Sequence, residues 1–425
     1  MLWCIVAAFG IYFCTYAFRK PFSAGTYQQL TVFGIGYKTV LIITQVLGYM
    51  LSKFLGIKVI SELKKASRVK LIFFLLAVAQ LSLVLFGAVA RPYNFIFLFF
   101  NGLPLGMVWG VVFSFLEGRR FTEFIAMGLS INMIMTSGIL KTFYLYLAAS
   151  FGYSEFQLPA IIGFMFMLPV FVFVWMLSVI PEPSKAEISL RMKRKPMTSI
   201  QKKWVWINYA PGLVCIILPY AMLTTLRDYR DNFMVEIWQG FDPSIDNSIF
   251  AKTEMLIAFF VMAAIALLVF IKDNKKAYWV ISATMILSVL SLLAITLFFK
   301  IGSIDAFTFL VIMGICFYLP YLIVQIAYFE RLIGFLRLKA NAGYFVYLCD
   351  SIGYLGSVLL LIYNEFGMGE YDFTGTLIKM TLLTSVLSIA MLLGQFVFYR
   401  TVFAKKKGSL QVQQTADAFF GKSST

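Results

Sequence analysis

Apolar stretches of some twenty residues recur along the chain, parted by short polar breaks. Each stretch is long enough to cross a hydrocarbon core of about 30 Å as a helix. We place twelve, at 1–24, 36–60, 70–90, 93–116, 124–150, 158–180, 204–228, 249–271, 277–299, 304–328, 340–363 and 374–402. No period-2 alternation competes over such lengths, so a membrane β-barrel is set aside. The longest polar break, 181–203 (PEPSKAEISLRMKRKPMTSIQKK), falls after the sixth stretch. The expected fold is therefore an all-α membrane protein of 12 transmembrane helices in two six-helix bundles. We expect the bundles at 1–180 and 204–402, a basic linker at 181–203, and a tail at 403–425 that reads as polar and unstructured from 408.

Composition agrees. The chain is 61% hydrophobic and 13% charged, against about 45–50% and 25% in soluble domains. The first stretch runs into Arg19-Lys20-Pro21 with no small-residue cleavage site, so no cleavable signal peptide is expected. It also starts abruptly, which leaves room for residues upstream. A net charge of +16 raises the question of nucleic acid, and the distribution of that charge answers it. Twenty-five of the 36 Lys and Arg fall after even-numbered spans: Lys58 to Lys70, Arg119 and Arg120, Lys185 to Lys203, Lys272 to Lys276, Arg331 to Lys339, and Arg400 onward. The opposite connections hold Asp228, Asp231, Glu236, Asp242 and Asp246, then Glu365, Glu370 and Asp372. The positive-inside rule then puts both termini in the cytoplasm. Membrane lipids, not nucleic acid, are the expected partners of the basic loops. Cys4, Cys14, Cys215, Cys316 and Cys349 lie in apolar stretches without C-x-x-C spacing, and there is no histidine. No cofactor, disulfide frame or zinc site is expected.

The candidate chemistry lies in charges at membrane depth, which cost about 2.5–3.5 kcal/mol each on insertion scales and are rarely accidental. Arg19 closes the first span and Arg227 nears the end of the seventh, so two chain halves carry an arginine at matching places. Two guanidinium forks can hold one anion bidentately; the plain alternative is snorkelling to headgroups. Lys53 in the second span adds a third cation. Lys141 and Asp350, in spans five and eleven, read as a pair across the halves for gating or coupling, or as a structural pair. Tyr16 and Tyr354 read as cavity-lining. Lys20 and Arg230 read as interfacial or surface charges. Gly102, Gly106, Gly110, Gly353 and Gly356 read as close helix packing.

Six short motifs carry a resemblance. Tyr16-Ala-Phe-Arg19-Lys20-Pro-Phe, Gly48-Tyr-Met-Leu-Ser52-Lys53-Phe54 and Ser61-Glu62-Leu-Lys64-Lys65 fall in the first three spans and their loops. Gly102-x-x-x-Gly106-Met-x-Trp109, Leu226-Arg227-Asp228-Tyr229 and Gly353-Tyr354-Leu355-Gly356-Ser357 follow. In this order they resemble the organophosphate:phosphate antiporters of the major facilitator superfamily, and the chain looks like an uncharacterised bacterial branch. The resemblance implies a multi-pass protein of the bacterial cytoplasmic membrane, exchanging a phosphorylated metabolite for phosphate and working as a monomer. It assigns Arg19 and Arg227 to the phosphoryl group, with Lys53 assisting. The chain departs from that family in having no histidine in span five, where Ser130-Ile-Asn132 stands. Asn132 is then the candidate neutral donor, and a carboxylate or other organic anion becomes an open substrate class. A receptor of the same fold that senses a sugar phosphate is the alternative. An enzyme is not expected: no histidine exists, no carboxylates pair within a span, and no glycine-rich phosphate loop follows a strand.

Overall fold

The computed structural model describes residues 2–28, 30–61, 63, 65–116, 127–181, 197–338, 340–367 and 372–420. Arg119, Arg120, Lys339, Glu370, most of the linker, and Glu62 and Lys64 of the third motif lie outside these residues. Twelve long helices follow in order: α1 Leu2–Ala17, α2 Tyr37–Ser61, α3 Arg68–Ala88, α4 Ile96–Leu116, α5 Asn132–Phe151, α6 Leu158–Ser178, α7 Ser199–Asn232, α8 Ile249–Val269, α9 Asn274–Lys300, α10 Ala306–Ile323, α11 Ala342–Gly367 and α12 Phe373–Phe420. Among the described residues ten helical stretches are long and apolar enough to cross a membrane, and α1 is a shorter apolar helix. Each of the twelve helices overlaps one of the twelve expected spans.

Packing follows the sixfold repeat. Within the first half α1 lies on α6, α2 on α4, and α3 on α4 and α6. The second half repeats this as α7 on α12, α8 on α10, and α9 on α10 and α12. The halves meet where α5 contacts α8 and α2 contacts α11. Shifting every helix by six turns one of these contacts into the other, which is the signature of two bundles related by a twofold axis along the membrane normal. Small residues set the closest approaches: a Cβ at Gly48 would strike the Phe99 carbonyl, and one at Gly102 the Gln45 carbonyl. That brings the α2 and α4 backbones together as a small-residue seam does in lipid. Gly353 and Gly356 likewise face Thr224 and Thr225 of α7.

Three expectations about local structure are corrected. The first helix ends at Ala17 rather than near residue 24. Pro21 has no N–H for the Ala17 carbonyl and its ring crowds it, and a short 3-10 turn, Pro21–Ala24, follows. Helix α10 does not end at 328 but passes through a π-helical turn, Val324–Tyr328, and continues to Leu336. The last helix runs on to Phe420 where a structureless tail was expected; Lys, Gln and Ala are good helix formers and no proline intervenes. A two-stranded hairpin, β1 Thr31–Val32 and β2 Ile35–Gly36, leads into α2.

Candidate functional site

One end of the bundle carries the connections that hold Asp242, Asp246 and Asp372; we call it the acidic end, and the opposite end the basic end. Charged side chains line the interface between the halves from one end toward the other. Their order begins with the break in α1. The chain leaves the helix at Ala17, so the carbonyls of Phe18 and Arg19 need other partners. Asn101 of α4 donates to the Phe18 carbonyl at 3.0 Å and Gln45 of α2 donates to the Arg19 carbonyl at 2.9 Å. Gln45 also donates to Asn101 Oδ1 at 2.7 Å. Both amides are buried. A broken helix at membrane depth is tolerated when its freed carbonyls are met in this way, and here the network fixes the backbone of Arg19.

The Arg19 guanidinium lies 4.0 Å from the centre of the Tyr49 ring, about halfway along α2, and 5.9 Å from that of Tyr16. Among the described residues no carboxylate lies within 4 Å of it, and its Nε is buried without a hydrogen-bond partner. Arg227 differs. Its Nε and Nη2 both donate to Asp228 Oδ1, at 3.1 and 2.6 Å, and Nη1 donates to the Tyr321 hydroxyl. The Tyr321 ring lies beneath the guanidinium at 4.4 Å. Asp228 Oδ2 accepts from Ser357 of α11 at 2.9 Å. Tyr354 adds a ring from the other half: it meets Tyr49 at 5.5 Å, and it lies within electrostatic reach of Arg19, Arg227 and Lys53. Tyr16 lies within reach of both arginines. Arg19, Arg227, Lys53, Tyr16 and Tyr354 are therefore brought together.

Lys53 sits on the basic side of this cluster, 4.0 Å from Asp350 Oδ2 and close to the Tyr49 and Tyr347 rings. Asp350 Oδ1 accepts from the Tyr220 hydroxyl at 2.5 Å and from Gln325 Nε2 at 3.1 Å. Gln325 stands in the π turn of α10, a distortion that often marks functional positions. Toward the acidic end Asp231 of α7 takes two lysines of the other half. Lys20 bonds Asp231 and also donates to Asn232 Oδ1 at 3.0 Å; Lys141 meets Asp231 Oδ1 at 3.0 Å and Ser137 Oγ at 3.0 Å. Nearer that end Lys38 of α2 pairs with Glu236, and Glu365 of α11 accepts from the Gly36 amide. A cavity of about 520 Å³ opens beside this last group, walled by Lys38, Glu236, Gln28, Gln239, Phe233 and Phe373.

These placements revise several sequence readings. Lys141 does not pair with Asp350; it is wholly buried on Asp231, and Asp350 pairs with Lys53. Asn132 stands apart from the arginines: its amide donates to the Phe9 carbonyl at 3.2 Å and accepts from Thr136, joining α5 to α1. Lys20 is not interfacial but 6% exposed. Arg230 is not a surface charge either, being 2% exposed and 2.6 Å from Glu254 of α8. Asp228, Asp231 and Glu236, read as loop acids, lie in helices and face cations of the interface. Sequence reading passed over Tyr49, Tyr220, Tyr321, Gln325, Gln45, Asn101 and Lys38. The available signal was a lone amide inside an apolar run, as in FLFFNGLPLG around Asn101.

The architecture is shared with solved membrane transporters. A D-xylose–proton symporter superposes with a TM-score of 0.61 at 10% identity, over 93% of this chain and 96% of that one. A bacterial homologue of the human lysosomal transporter Spinster, inward-facing and occupied, gives 0.59 at 12% over 93% and 96%. The nucleoside transporter NupG gives 0.57 at 13% over 94% and 98%. At such identities the likeness is one of fold, and the fold is that of the major facilitators. No curated protein matches the sequence. A family model matches residues 21–402, and the chain belongs to that family, DUF5690, a family of unknown function.

Proposed function

We propose that this protein is a secondary transporter of a small organic anion, working by alternating access around the chamber of Arg19, Arg227 and Lys53. The observation that carries the reading is Arg19: a guanidinium between the bundles, over aromatic faces, with a buried Nε and no carboxylate within 4 Å among the described residues. A desolvated charge of this kind is costly unless something completes it. Arg227 and Lys53 already have Asp228 and Asp350, so these five groups carry one net positive charge and favour an anionic group. Tyrosines from both halves supply hydroxyl donors and ring faces for the body of such a ligand. The neighbours of the same fold are a sugar symporter and a nucleoside transporter, which is compatible with transport and names no substrate.

The substrate we propose is a phosphorylated metabolite exchanged for inorganic phosphate. Its support is the motif order around Arg19, Lys53 and Arg227, together with the preference of guanidinium forks for oxyanions. The orientation we propose puts the basic end and both termini in the cytoplasm of a bacterium, with the protein a monomer in the inner membrane. In that orientation the Lys20–Asp231–Lys141 and Lys38–Glu236 groups close the outer side, and alternating access requires them to part.

The test is exchange in proteoliposomes loaded with phosphate and given labelled phosphate outside. Uptake that needs internal phosphate and is lost in Arg19→Lys and Arg227→Lys is the expected result, because an ammonium cannot make the bidentate contact. Uptake retained in both variants would refute the two-arginine site. Binding without exchange would point to the receptor instead.

A further inference from the structure

We infer that Asp228 is a built-in stand-in for the anionic group of the ligand: it fills the Arg227 fork when the chamber is empty and gives the fork up when an anion enters. The inference rests on the two-arginine reading above and names the residue that sets its affinity.

The geometry has three parts. First, one edge of Arg227 is taken. Nε and Nη2 both point at Asp228 Oδ1, and Nη1 gives one of its two hydrogens to the Tyr321 hydroxyl. An anion cannot take the Nε–Nη2 edge bidentately while Asp228 holds it. Second, Arg19 is open, with no competing carboxylate within 4 Å among the described residues. Of the two arginines only Arg227 has an acid directly after it; Arg19 is followed by Lys20. An entering anion therefore meets Arg19 first and must compete for Arg227. Third, Asp228 has somewhere to go. Its other oxygen already accepts from Ser357 at 2.9 Å. Beside the carboxylate lies a small cavity of about 10 Å³, bounded by Asp228, Thr225, Asn232 and Ser357 and by the apolar Ile42, Val46, Leu360 and Leu361. That is close to the room one water needs.

The consequence is selectivity. A ligand that wins Arg227 must outcompete a carboxylate tethered one residue away. A phosphoryl or other multidentate oxyanion can do so while keeping oxygens for Arg19; a lone carboxylate offers no more than the residue it displaces. Arg19 supplies the differential contact that pulls the exchange over.

The experiment measures the affinity of the purified full-length protein for inorganic phosphate by calorimetry, with acetate as the simple carboxylate. Asp228→Asn removes the competing charge, and we expect phosphate to bind about tenfold tighter, with acetate gaining more than phosphate. Ser357→Ala removes the second resting place, and we expect phosphate to bind more weakly in a protein whose thermal unfolding is unchanged. Opposite signs in the two variants support the inference. Weaker or unchanged binding in Asp228→Asn overturns it and makes Asp228 a group that merely aims Arg227. Should Asp228→Asn fail to fold, the Ser357→Ala result decides alone. Phosphate binding that survives Arg227→Lys, or is missing in the wild type, would instead refute the two-arginine reading itself.

Discussion

Asp231 offers the sharpest test of how the two halves are held. Its carboxylate takes Lys20 and Lys141 from the other bundle; Lys141 is completely buried and Lys20 is 6% exposed. Removing one partner of a buried pair costs roughly 3–5 kcal/mol, because a charge is left without compensation. Asp231→Asn is the milder form of that loss. The new amide oxygen still accepts one bond, Lys20 keeps Asn232, and Lys141 keeps Ser137 and the backbone carbonyl of residue 231. We therefore take the lower end, about 3 kcal/mol. The cost falls only on the arrangement in which the acidic end is closed, since parted lysines are hydrated. A bias of about 3 kcal/mol moves a two-state equilibrium by roughly a hundredfold. Spin labels at Phe33 and Ser244, both exposed and on opposite halves at the acidic end, read the separation by pulsed electron resonance in a cysteine-free background. The expected outcome is a longer distance dominating in Asp231→Asn. Adding Lys141→Met, which removes the stranded cation, should return part of the shorter distance. An unchanged distance distribution in Asp231→Asn would show that the lysines do not hold the halves together.

Further outcomes follow from the same contacts. Lys53→Met and Asp350→Asn should each slow exchange, while the double variant recovers part of the loss because neither charge is then stranded; additive losses would mean that the pair is not coupled. Gly48→Ala or Gly102→Ala should lower the thermal unfolding midpoint in detergent, since the added methyl meets backbone carbonyls and overpacking costs roughly 1–3 kcal/mol; an unchanged midpoint would count against the α2–α4 seam. Asp305 caps α10 by accepting from the Phe307 and Thr308 amides at 3.1 and 3.3 Å, and hydrogen bonds from Thr308 hold its carboxyl below the usual range. Its folded value is depressed, so its contribution is present above the unfolded value near pH 3.9 and is lost as pH falls through the folded one. Asp305→Ala should thus cost about 1 kcal/mol at neutral pH and nothing in strong acid; an equal cost at both would exclude the charged cap.

What the sequence made legible was what the bilayer imposes. A span must be some twenty apolar residues long because no water is present to meet its backbone, so the helices could be counted before they were seen. The break after Ala17 is also written in the chain, as Pro21, although the apolar count carries the first span on to residue 24. Arg19 and Arg227 stand out in the sequence because each is a charge beside an apolar run.

Partners were not legible, because pairing is a relation between distant segments and the pattern along one segment does not carry it. Lys141 and Asp350 looked complementary for being two stray intramembrane charges of opposite sign. Each instead meets a residue with a different reading: Asp231, a loop acid, and Lys53, a cation of the anion path. Lys20 and Arg230 were misjudged for the same reason, since a charge flanked by other charges at a span end is normally hydrated. For Arg230 the helix runs on past that point: α7 continues to Asn232 and turns directly into the helix Met234–Phe241, so Asp231 at its end faces the other bundle and not water. A charge at the predicted edge of a span is thus ambiguous until the edge itself is known. In a two-bundle protein that edge decides whether the charge sets topology or locks the interface, and Asp231 falls on the side of the lock.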